Sequence, residues 1–178
     1  MNEIQNMNKI TIKQAQEDDI PILESILLDT VYWLNEMDQP LWRVHEVTWA
    51  VLSKKYQIGD FYISYLDGEP SGCMAIIDYD PFFWPDIIKG DSLFIHKLAV
   101  KKYARKTGVA DALMDFFKAQ GITRAAKALR LDTHALRPKL RAFYESHGFV
   151  FVTVKTFKNN RHLPFNIFAL FESILNQN

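Results

Sequence analysis

Hydrophobic and polar positions follow two different periods along the chain. Apolar stretches that alternate or are rich in β-branched residues predict strands, whereas apolar residues spaced by three and four predict amphipathic helices. Strands are expected at Ile10–Ala15, Phe61–Leu66, Cys73–Asp78, Ser92–Val100, Leu129–Thr133, Phe149–Phe157 and Phe165–Phe171. Helices are expected at Ile20–Met37, at Val44–Tyr56, from Val109 past Phe117, and at Pro138–His147. The pattern therefore predicts an α/β protein with about seven strands and about four helices.

Turn signals place the boundaries of several of these elements. Asp18-Asp19 supplies an N-cap for the first helix, and the stretch Asp67–Pro70 has the composition of a hairpin turn between the second and third strands. The polar stretch Lys158–Pro164 separates the last two strands. Because no linker, repeat or low-complexity tract interrupts the series, we predict one domain over residues 1–178.

The amino-acid composition excludes several classes of function. With Lys+Arg 21 against Asp+Glu 21, the formal net charge is zero, which excludes an overall electrostatic attraction to nucleic acid or to an anionic membrane. Cys73 is the only cysteine, so an intramolecular disulfide and a cysteine-based metal cluster are excluded. Met1–Ile12 lacks the apolar core of a signal peptide, and no apolar run approaches the ~20 residues of a membrane span. We expect a cytoplasmic protein.

The fourth strand leads through a basic loop into a helix. The first-turn amides of a helix beginning at Val109 are unpaired and lie at the positive end of the helix dipole, which favours an anion. Gly108 lets a phosphate approach the backbone because it has no Cβ, and Arg105 and Lys106 add positive charge. The sequence therefore predicts a pyrophosphate site in this loop.

Two blocks of sequence resemble one enzyme family. Residues Arg105–Ala110, Arg-Lys-Thr-Gly-Val-Ala, are similar to the Arg/Gln-x-x-Gly-x-Gly/Ala loop of the GNAT superfamily of N-acetyltransferases. Leu98-Ala99-Val100 resembles the preceding strand of that family. Downstream, Leu129–Asp132 followed by Leu140–Phe149 resembles the second family block, which ends in Tyr-Glu-x-x-Gly-Phe.

The resemblance implies a fold and a cofactor. It implies a single GNAT-like domain whose mixed, mostly antiparallel sheet holds parallel strands four and five, splayed apart toward their C-terminal ends, with the pantetheine arm of acetyl-CoA in the gap. It implies cofactor contacts from Leu98, Ala99, Val100, Arg105, Lys106, Thr107, Gly108, Val109, Ala110, Arg137 and Tyr144. Two positions depart from the family: Arg137 stands where many relatives carry asparagine, and Leu93–Lys97 lacks the catalytic glutamate of some members.

The implied reaction is attack of a neutral amine on the thioester through a tetrahedral intermediate. The resemblance gives Tyr144 as the acid for the thiolate, with a core-packed tyrosine as the alternative, and the amide of Val100 as the oxyanion donor by its position. For the base we select His96, which by strand parity shares a face with Phe94, Leu98 and Val100; a histidine hydrogen-bonded inside the sheet is the alternative.

Acceptor-binding residues are expected on the first two helices and the loop after the third strand. Asp78 and Asp80 are candidates as base or as anchors for a cationic amine, or else they cap a turn. Aromatic residues that could wall the acceptor pocket are Tyr32, Trp33, Trp42, Trp49, Tyr79, Phe82, Phe83 and Trp84, of which we select Trp33 and Trp84. Phe82-Phe83-Trp84 is expected to form a pocket lid or an association surface.

The function expected is acetyl-CoA-dependent N-acetylation of a small-molecule amine. Acetylation of a protein or peptide amine and a non-catalytic acyl-CoA sensing module remain alternatives, and a homodimer is possible. No metal is expected, because His134, His147 and His162 show no metal-ligand spacing. We likewise expect no nucleic acid and no membrane among the partners.

Overall fold

The structure is a computed structural model that describes residues 9–157 and 166–175. Its strands are β1 Ile10–Gln14, β2 Phe61–Leu66, β3 Glu69–Ile77, β4 Ser92–Val100, β5 Ala128–His134, β6 Val150–Thr156 and β7 Ile167–Ile174. Its α-helices are α1 Ile20–Glu36, α2 Trp49–Leu52, α3 Val109–Thr123 and α4 Pro138–Ser146. None of these helices combines the length and the apolar character that crossing a lipid bilayer requires.

All seven strands form one mixed sheet in the order β1-β2-β3-β4-β5-β7-β6. Every neighbouring pair is antiparallel except β4 and β5, which are parallel. The connection between those two strands contains α3, as a parallel crossover requires. The predicted fold class is confirmed: an α/β protein built on a mixed, mostly antiparallel sheet.

The helices cover both faces of the sheet. On one face α1 buries Leu23, Ile26 and Leu27 against apolar residues of β2 and β3. On the other face α3 buries Leu113 and Phe117 in a cluster that α4 also joins. Each such side chain contributes about 1.5–3 kcal/mol on burial, so the two clusters hold β3 and β4 rigidly at the centre of the sheet.

The second predicted helix is broken in the structure. A short 3₁₀ helix at Val44–Val47 is followed by an extended residue, Thr48, and then by α2. The Thr48 hydroxyl donates a hydrogen bond to the His45 carbonyl, and Glu24 accepts one from the amide of Trp49. These side-chain contacts compete with continuous helical hydrogen bonding and explain the break.

Two other boundaries differ from the sequence expectation. Strand β3 begins at Glu69, so the hairpin turn is only Asp67-Gly68, where both residues have positive φ. The predicted start of the last strand, Phe165, and the polar stretch Lys158–Pro164 lie outside the described residues.

The aromatic loop after β3 contributes to the core, where the sequence predicted a pocket lid or an association surface; Phe83 both packs in the core and lines the cavity described below. Phe83 and Trp84 are buried in a third apolar cluster with Phe94 and Phe168. Phe82 is half exposed and stacks on Phe157 with the ring centroids 4.8 Å apart. This part of the sheet is thus covered by the loop rather than by a helix. Burial of hydrophobic side chains explains why the loop is rich in aromatic residues.

Gly72 is a glycine at a close approach between β3 and β4. A Cβ added there would lie 2.8 Å from the Ala99 carbonyl oxygen and 2.9 Å from Ser64 Oγ. We expect Gly72→Ala to lower the free energy of unfolding by about 1–3 kcal/mol, because the backbone of β4 must move. Urea denaturation measures this, with Gly59→Ala as the control, since there the nearest atom is 3.5 Å away. Equal stability of the two variants would contradict the expectation.

Candidate active site

The parallel strands β4 and β5 separate along their length. They pair from Ser92 with Ala128 to Ile95 with Leu131, and the described residues form no pair beyond that point. Strand β4 nevertheless continues to Val100 and β5 to His134. The two strands therefore splay toward their C-terminal ends and leave an opening in the middle of the sheet.

A β-bulge lies in β4 at the edge of this opening. Ala75 pairs with His96 and Cys73 with Ala99, so β4 carries one extra residue between these pairs. Lys97, within that segment, has φ 53°. A bulge of this kind reverses the side-chain alternation of the residues that follow it.

The bulge corrects the prediction of which face His96 shares. Leu98 and Val100 pack against the apolar cluster of α3, whereas Phe94 belongs to the cluster on the opposite face of the sheet. His96 therefore shares a face with Phe94 but not with Leu98 and Val100. The parity argument was wrong because it assumed an unbroken strand.

The backbone of β4 after the bulge presents two residues to the opening. The Lys101 amide donates to the Ser71 carbonyl, which makes Val100 a non-hydrogen-bonded partner of β3. The amides and carbonyls of Val100 and, by alternation, of Leu98 therefore face β5, whereas those of Ala99 face β3. Ala99 thus offers no backbone group to a ligand in the opening, contrary to its predicted cofactor contact.

A cavity of about 350 Å³ lies at the splay. Its lining consists of Leu41, Trp42, Glu46, Val51, Leu52, Lys55, Tyr56, Phe83, Ile95, His96, Lys97, Leu98, Asp132, Thr133, Leu140, Tyr144 and Phe168. Of the residues named from the sequence, this cavity brings together His96, Leu98 and Tyr144 with two of the aromatic residues considered for the pocket wall, Trp42 and Phe83. An apolar cavity with a few convergent polar groups is typical of a small-molecule site.

His96 is held through both of its ring nitrogens. Nε2 lies 3.1 Å from Oδ2 of Asp80, and Nδ1 lies 3.2 Å from the hydroxyl oxygen of Tyr56. Burial disfavours the carboxylate of Asp80, but its contact with His96 and the charge of Lys55 outweigh this and hold the pKa of Asp80 below its usual value. The ionised Asp80 beside Nε2 favours the tautomer that carries its proton on Nε2, although the geometry of this contact is not that of a regular hydrogen bond. The Nδ1 lone pair is then left to accept from Tyr56.

Asp132 and Tyr144 also line the cavity. Burial raises the pKa of Asp132, and burial together with the charge of Asp132 raises the pKa of the Tyr144 hydroxyl. Tyr144 is therefore a proton donor at neutral pH. The Asp132 carboxylate sits where β5 leaves β4, in position to attract a cationic group.

Sequence reasoning missed Tyr56, Asp132 and Lys97 as functional residues. For Asp132 a signal existed, because it stands at the carboxyl end of a strand predicted to splay from its parallel neighbour. Tyr56 fell within a predicted helix, and Lys97 was read only as part of a segment lacking glutamate.

The basic loop leads into α3 as predicted. Gly108 is the N-cap of α3 with φ 90°, and the loop is closed by a hydrogen bond from the Thr107 hydroxyl to the Ala104 carbonyl. The Ala112 amide donates to the Gly108 carbonyl, so the amides of Val109, Ala110 and Asp111 precede the first helical bond. Lys106 is exposed beside them with φ 63°. This is an anion-binding geometry.

Arg105 supports the loop. Its Nε and Nη2 each lie 3.2 Å from the Val100 carbonyl oxygen, and its guanidinium stacks 3.3 Å from the ring centroid of Trp33. The charge of Arg105 is thus engaged by the protein itself. Trp33, predicted to bind the acceptor, instead lies under this loop and does not line the cavity.

Three other predicted residues lie apart from the cavity lining. Arg137 donates to the Pro40 carbonyl at 2.7 Å and ties the start of α4 to the segment after α1. Trp84 packs against Phe94 with the Arg130 guanidinium over its ring, so the predicted acceptor contact of Trp84 is wrong. Asp78 lines a separate groove, which Asp80 also borders.

Three donor atoms at the edge of the cavity are close enough to share a cation. Asp80, His96 and Asp132 each offer one ligand atom, and these atoms lie within 4.8 Å of one another. The set could hold a divalent ion, since the buried Asp80 carboxylate oxygens and His96 Nε2 make no regular hydrogen bond in the described part of the chain. Among the histidines named in the sequence argument, His147 pairs with Asp111 at the surface and His162 lies outside the described residues.

Comparisons with known proteins agree with the fold. A family model described as "Acetyltransferase (GNAT) family" matches residues 28–149. A search of curated protein sequences finds no match.

Solved structures similar to the chain include several acetyltransferases. A GNAT-family acetyltransferase from Listeria monocytogenes is 20% identical with a TM-score of 0.72, over 93% of this chain and 95% of that chain. The ribosomal-protein-S18-alanine N-acetyltransferase from Escherichia coli is 15% identical with a TM-score of 0.68, over 96% of each chain. N-acetylglutamate synthase from Neisseria gonorrhoeae, complexed with coenzyme A and N-acetyl-glutamate, is 19% identical with a TM-score of 0.65, over 95% of this chain and 36% of that chain. At these identities the likeness concerns the fold.

Proposed function

The chain belongs to the GNAT family of acetyltransferases, and from that membership we propose that it transfers an acetyl group from acetyl-CoA to the primary amine of a small molecule. The observation that carries the proposal is the cavity at the splay of β4 and β5, where a paired histidine and a buried tyrosine face the same space.

The cofactor is assigned to the opening between the strands. Its pyrophosphate binds the amides of Val109, Ala110 and Asp111 beside Gly108, where the helix dipole favours negative charge. Its pantetheine arm is placed along the backbone of Leu98 and the amide of Val100, since the Val100 carbonyl already accepts from Arg105. The Arg105 guanidinium is bound to the Val100 carbonyl and packed on Trp33, where it supports the loop. The phosphate contacts therefore come from backbone amides, and Lys106 adds positive charge.

The acceptor amine loses its proton to a relay. In the arrangement Tyr56–His96–Asp80, the Tyr56 hydroxyl takes the amine proton as it gives its own to Nδ1 of His96, and Asp80 stabilises the imidazolium. Asp132 attracts the amine in its cationic form before this step. The neutral amine then attacks the thioester carbon.

Two groups beside the thioester act on the tetrahedral intermediate: one stabilises it and the other assists its collapse. The Val100 amide, which faces the opening, is the candidate donor to the oxyanion. As the carbon–sulfur bond breaks, the Tyr144 hydroxyl gives its proton to the leaving thiolate. The raised pKa of Tyr144 keeps its hydroxyl protonated at neutral pH, so that it can donate a hydrogen bond to the sulfur as the carbon–sulfur bond breaks.

The size and polarity of the cavity favour a small acceptor. A volume of about 350 Å³, shared with the acetyl end of the cofactor, suits a small molecule better than a folded protein surface. The buried Tyr56–His96–Asp80 arrangement also favours catalysis over a sensing module that only binds acyl-CoA.

Turnover with a panel of amines tests the proposal. Free thiol released from acetyl-CoA is followed with small primary amines and with a peptide that has a free α-amine, and the products are identified by mass spectrometry. We expect release that saturates with a small amine. Binding of acetyl-CoA without release by any amine would support the sensing module, and release only with the peptide would support a protein acceptor.

Removing the Tyr144 hydroxyl tests the acid. We expect Tyr144→Phe to lower kcat by roughly 10-fold to 100-fold, the low end for general acids because a thiolate leaves readily. Steady-state thiol release measures it. The matched control is Tyr62→Phe, a buried tyrosine whose hydroxyl accepts from Arg124 outside the cavity lining. Unchanged kcat in Tyr144→Phe with every competent acceptor would remove Tyr144 from the mechanism.

A further inference from the structure

Lys97 places a cation in the cavity that the proposed reaction does not use. It stands at the bulge of β4 with φ 53°, a conformation that residues other than glycine, asparagine and aspartate rarely adopt. Its ammonium lies 4.7 Å from the ring centroid of Trp42, across the cavity. Backbone strain of this kind persists where the surrounding structure enforces it, and it concentrates at functional sites.

The Lys97 ammonium is buried without a close carboxylate. Within residues 9–157 and 166–175, no carboxylate oxygen lies within 4.0 Å of Nζ. Burial lowers the pKa of Lys97 to about 8, against the opposing influence of Glu46 and Asp132. The side chain is therefore still mostly cationic at neutral pH, and an anionic ligand group would relieve its desolvation.

The other charges in the cavity differ from Lys97 in being compensated. Lys55 lies 3.8 Å from Asp80, which is itself paired with His96. The ligand oxygen of Asp132 lies within 4.8 Å of the ligand atoms of Asp80 and His96, where the proton relay is assigned. The cavity thus offers a negative group near the reacting atoms and an uncompensated positive group at the bulge.

We propose that the acceptor is an amine that also carries a carboxylate, an amino-acid-like zwitterion whose carboxylate binds Lys97 while its amine lies near Asp132 and Tyr56. This inference rests on the proposed function and names its substrate class. A carboxylate fits better than a phosphate, because one lysine cation balances a single negative charge and not two. Trp42, packed on the ammonium, holds Lys97 in the cavity.

Acids and their carboxamides distinguish this proposal from an acceptor recognised by shape alone. Each α-, β- and γ-amino acid of a panel is compared with its own carboxamide, which keeps the size and the amine but removes the negative charge. For the best acid in wild type, we expect kcat/KM to exceed that of its carboxamide by roughly 10-fold to 100-fold, the effect of one buried charged hydrogen bond.

Variants at Lys97 test whether this residue causes the preference for the acid over its carboxamide. Lys97→Met is expected to reduce the acid-to-carboxamide ratio to about one, and Lys97→Arg to keep it above one, since the charge is retained. Lys118→Met, which removes a surface lysine 3.8 Å from Asp115, is the matched control and should leave the ratio as in wild type. The melting shift with acetyl-CoA verifies that each variant is folded.

Failure of this inference differs from failure of the proposed function. Wild-type release with carboxamides or simple amines equal to or above that with the acids would overturn the carboxylate assignment and leave amine acetylation standing. A folded Lys97→Met with the wild-type ratio would overturn the role of Lys97. Absence of release with every acid, carboxamide and simple amine would overturn both.

Discussion

His96→Ala is expected to lower kcat by about 100-fold to 10,000-fold, the range for loss of a positioned general base. The Tyr56 hydroxyl would lose the Nδ1 acceptor at 3.2 Å, and Asp80 would lose the partner at 3.1 Å that balances its buried charge. With no acceptor for the amine proton, attack on the thioester must await the small unprotonated fraction of the acceptor. The rate deficit should therefore shrink as the pH is raised toward the pKa of the acceptor amine.

A second histidine–aspartate pair supplies the control. His147 Nε2 lies 3.0 Å from Asp111 Oδ1, but this pair is at the surface between α4 and α3. Asp111 belongs to the first turn of α3, so His147→Ala could change the KM for acetyl-CoA. Its kcat should nevertheless equal that of wild type. A wild-type kcat and pH profile in His96→Ala would remove His96 from the reaction. Loss of activity with EDTA, restored by a divalent ion, would instead assign the Asp80, His96 and Asp132 set to a metal.

Gly108→Asp is expected to abolish detectable binding of acetyl-CoA. The new carboxylate would stand beside the amides assigned to the pyrophosphate, where it repels the phosphates and occupies their space. The surroundings leave room for the side chain, because the nearest atom to an added Cβ is 3.9 Å away, at Ile10, and the cost within the protein is the strain of the positive φ. Calorimetric titration of wild type and variant with acetyl-CoA measures the loss.

A second glycine with the same backbone conformation serves as the control for the strain of a positive φ. Gly68, in the β2–β3 turn, also has φ 90° and open space around a Cβ, so Gly68→Asp carries a similar conformational cost of roughly 1–2 kcal/mol. We expect Gly68→Asp to bind acetyl-CoA as wild type does. Retained binding in Gly108→Asp would place the pyrophosphate elsewhere.

The order of elements and the loop could be predicted from the sequence, because they follow from local patterns. Strand and helix periodicity predicted an α/β protein with about seven strands and about four helices, and one apolar strand followed by a glycine-containing basic loop predicted the anion site at α3. The parallel pair β4–β5 and its splay came from the family resemblance, and the pairing that stops at Ile95 and Leu131 agrees with it.

The arrangement within the cavity could not be predicted, because it depends on tertiary contacts. The bulge at Lys97 adds one residue with no local sequence signal, and it moves Leu98 and Val100 to the face opposite His96 and Phe94. Trp33 and Trp84 were chosen as aromatic residues of the right segments, yet one supports Arg105 and the other fills the core. Asp80 meets His96 only because the loop after β3 folds back over the sheet.

The melting temperature of the wild-type protein with and without acetyl-CoA tests most directly that the opening between β4 and β5 is a cofactor site. At ~100 times the Kd, the ligand should add ~2.7 kcal/mol to the free energy of unfolding. For a chain of this size, that corresponds to a rise of roughly 5–10 °C. A rise of this order in wild type and in Gly68→Asp, absent in Gly108→Asp, is the result we predict. No rise in wild type with excess acetyl-CoA would contradict the assignment of the opening between β4 and β5 to acetyl-CoA.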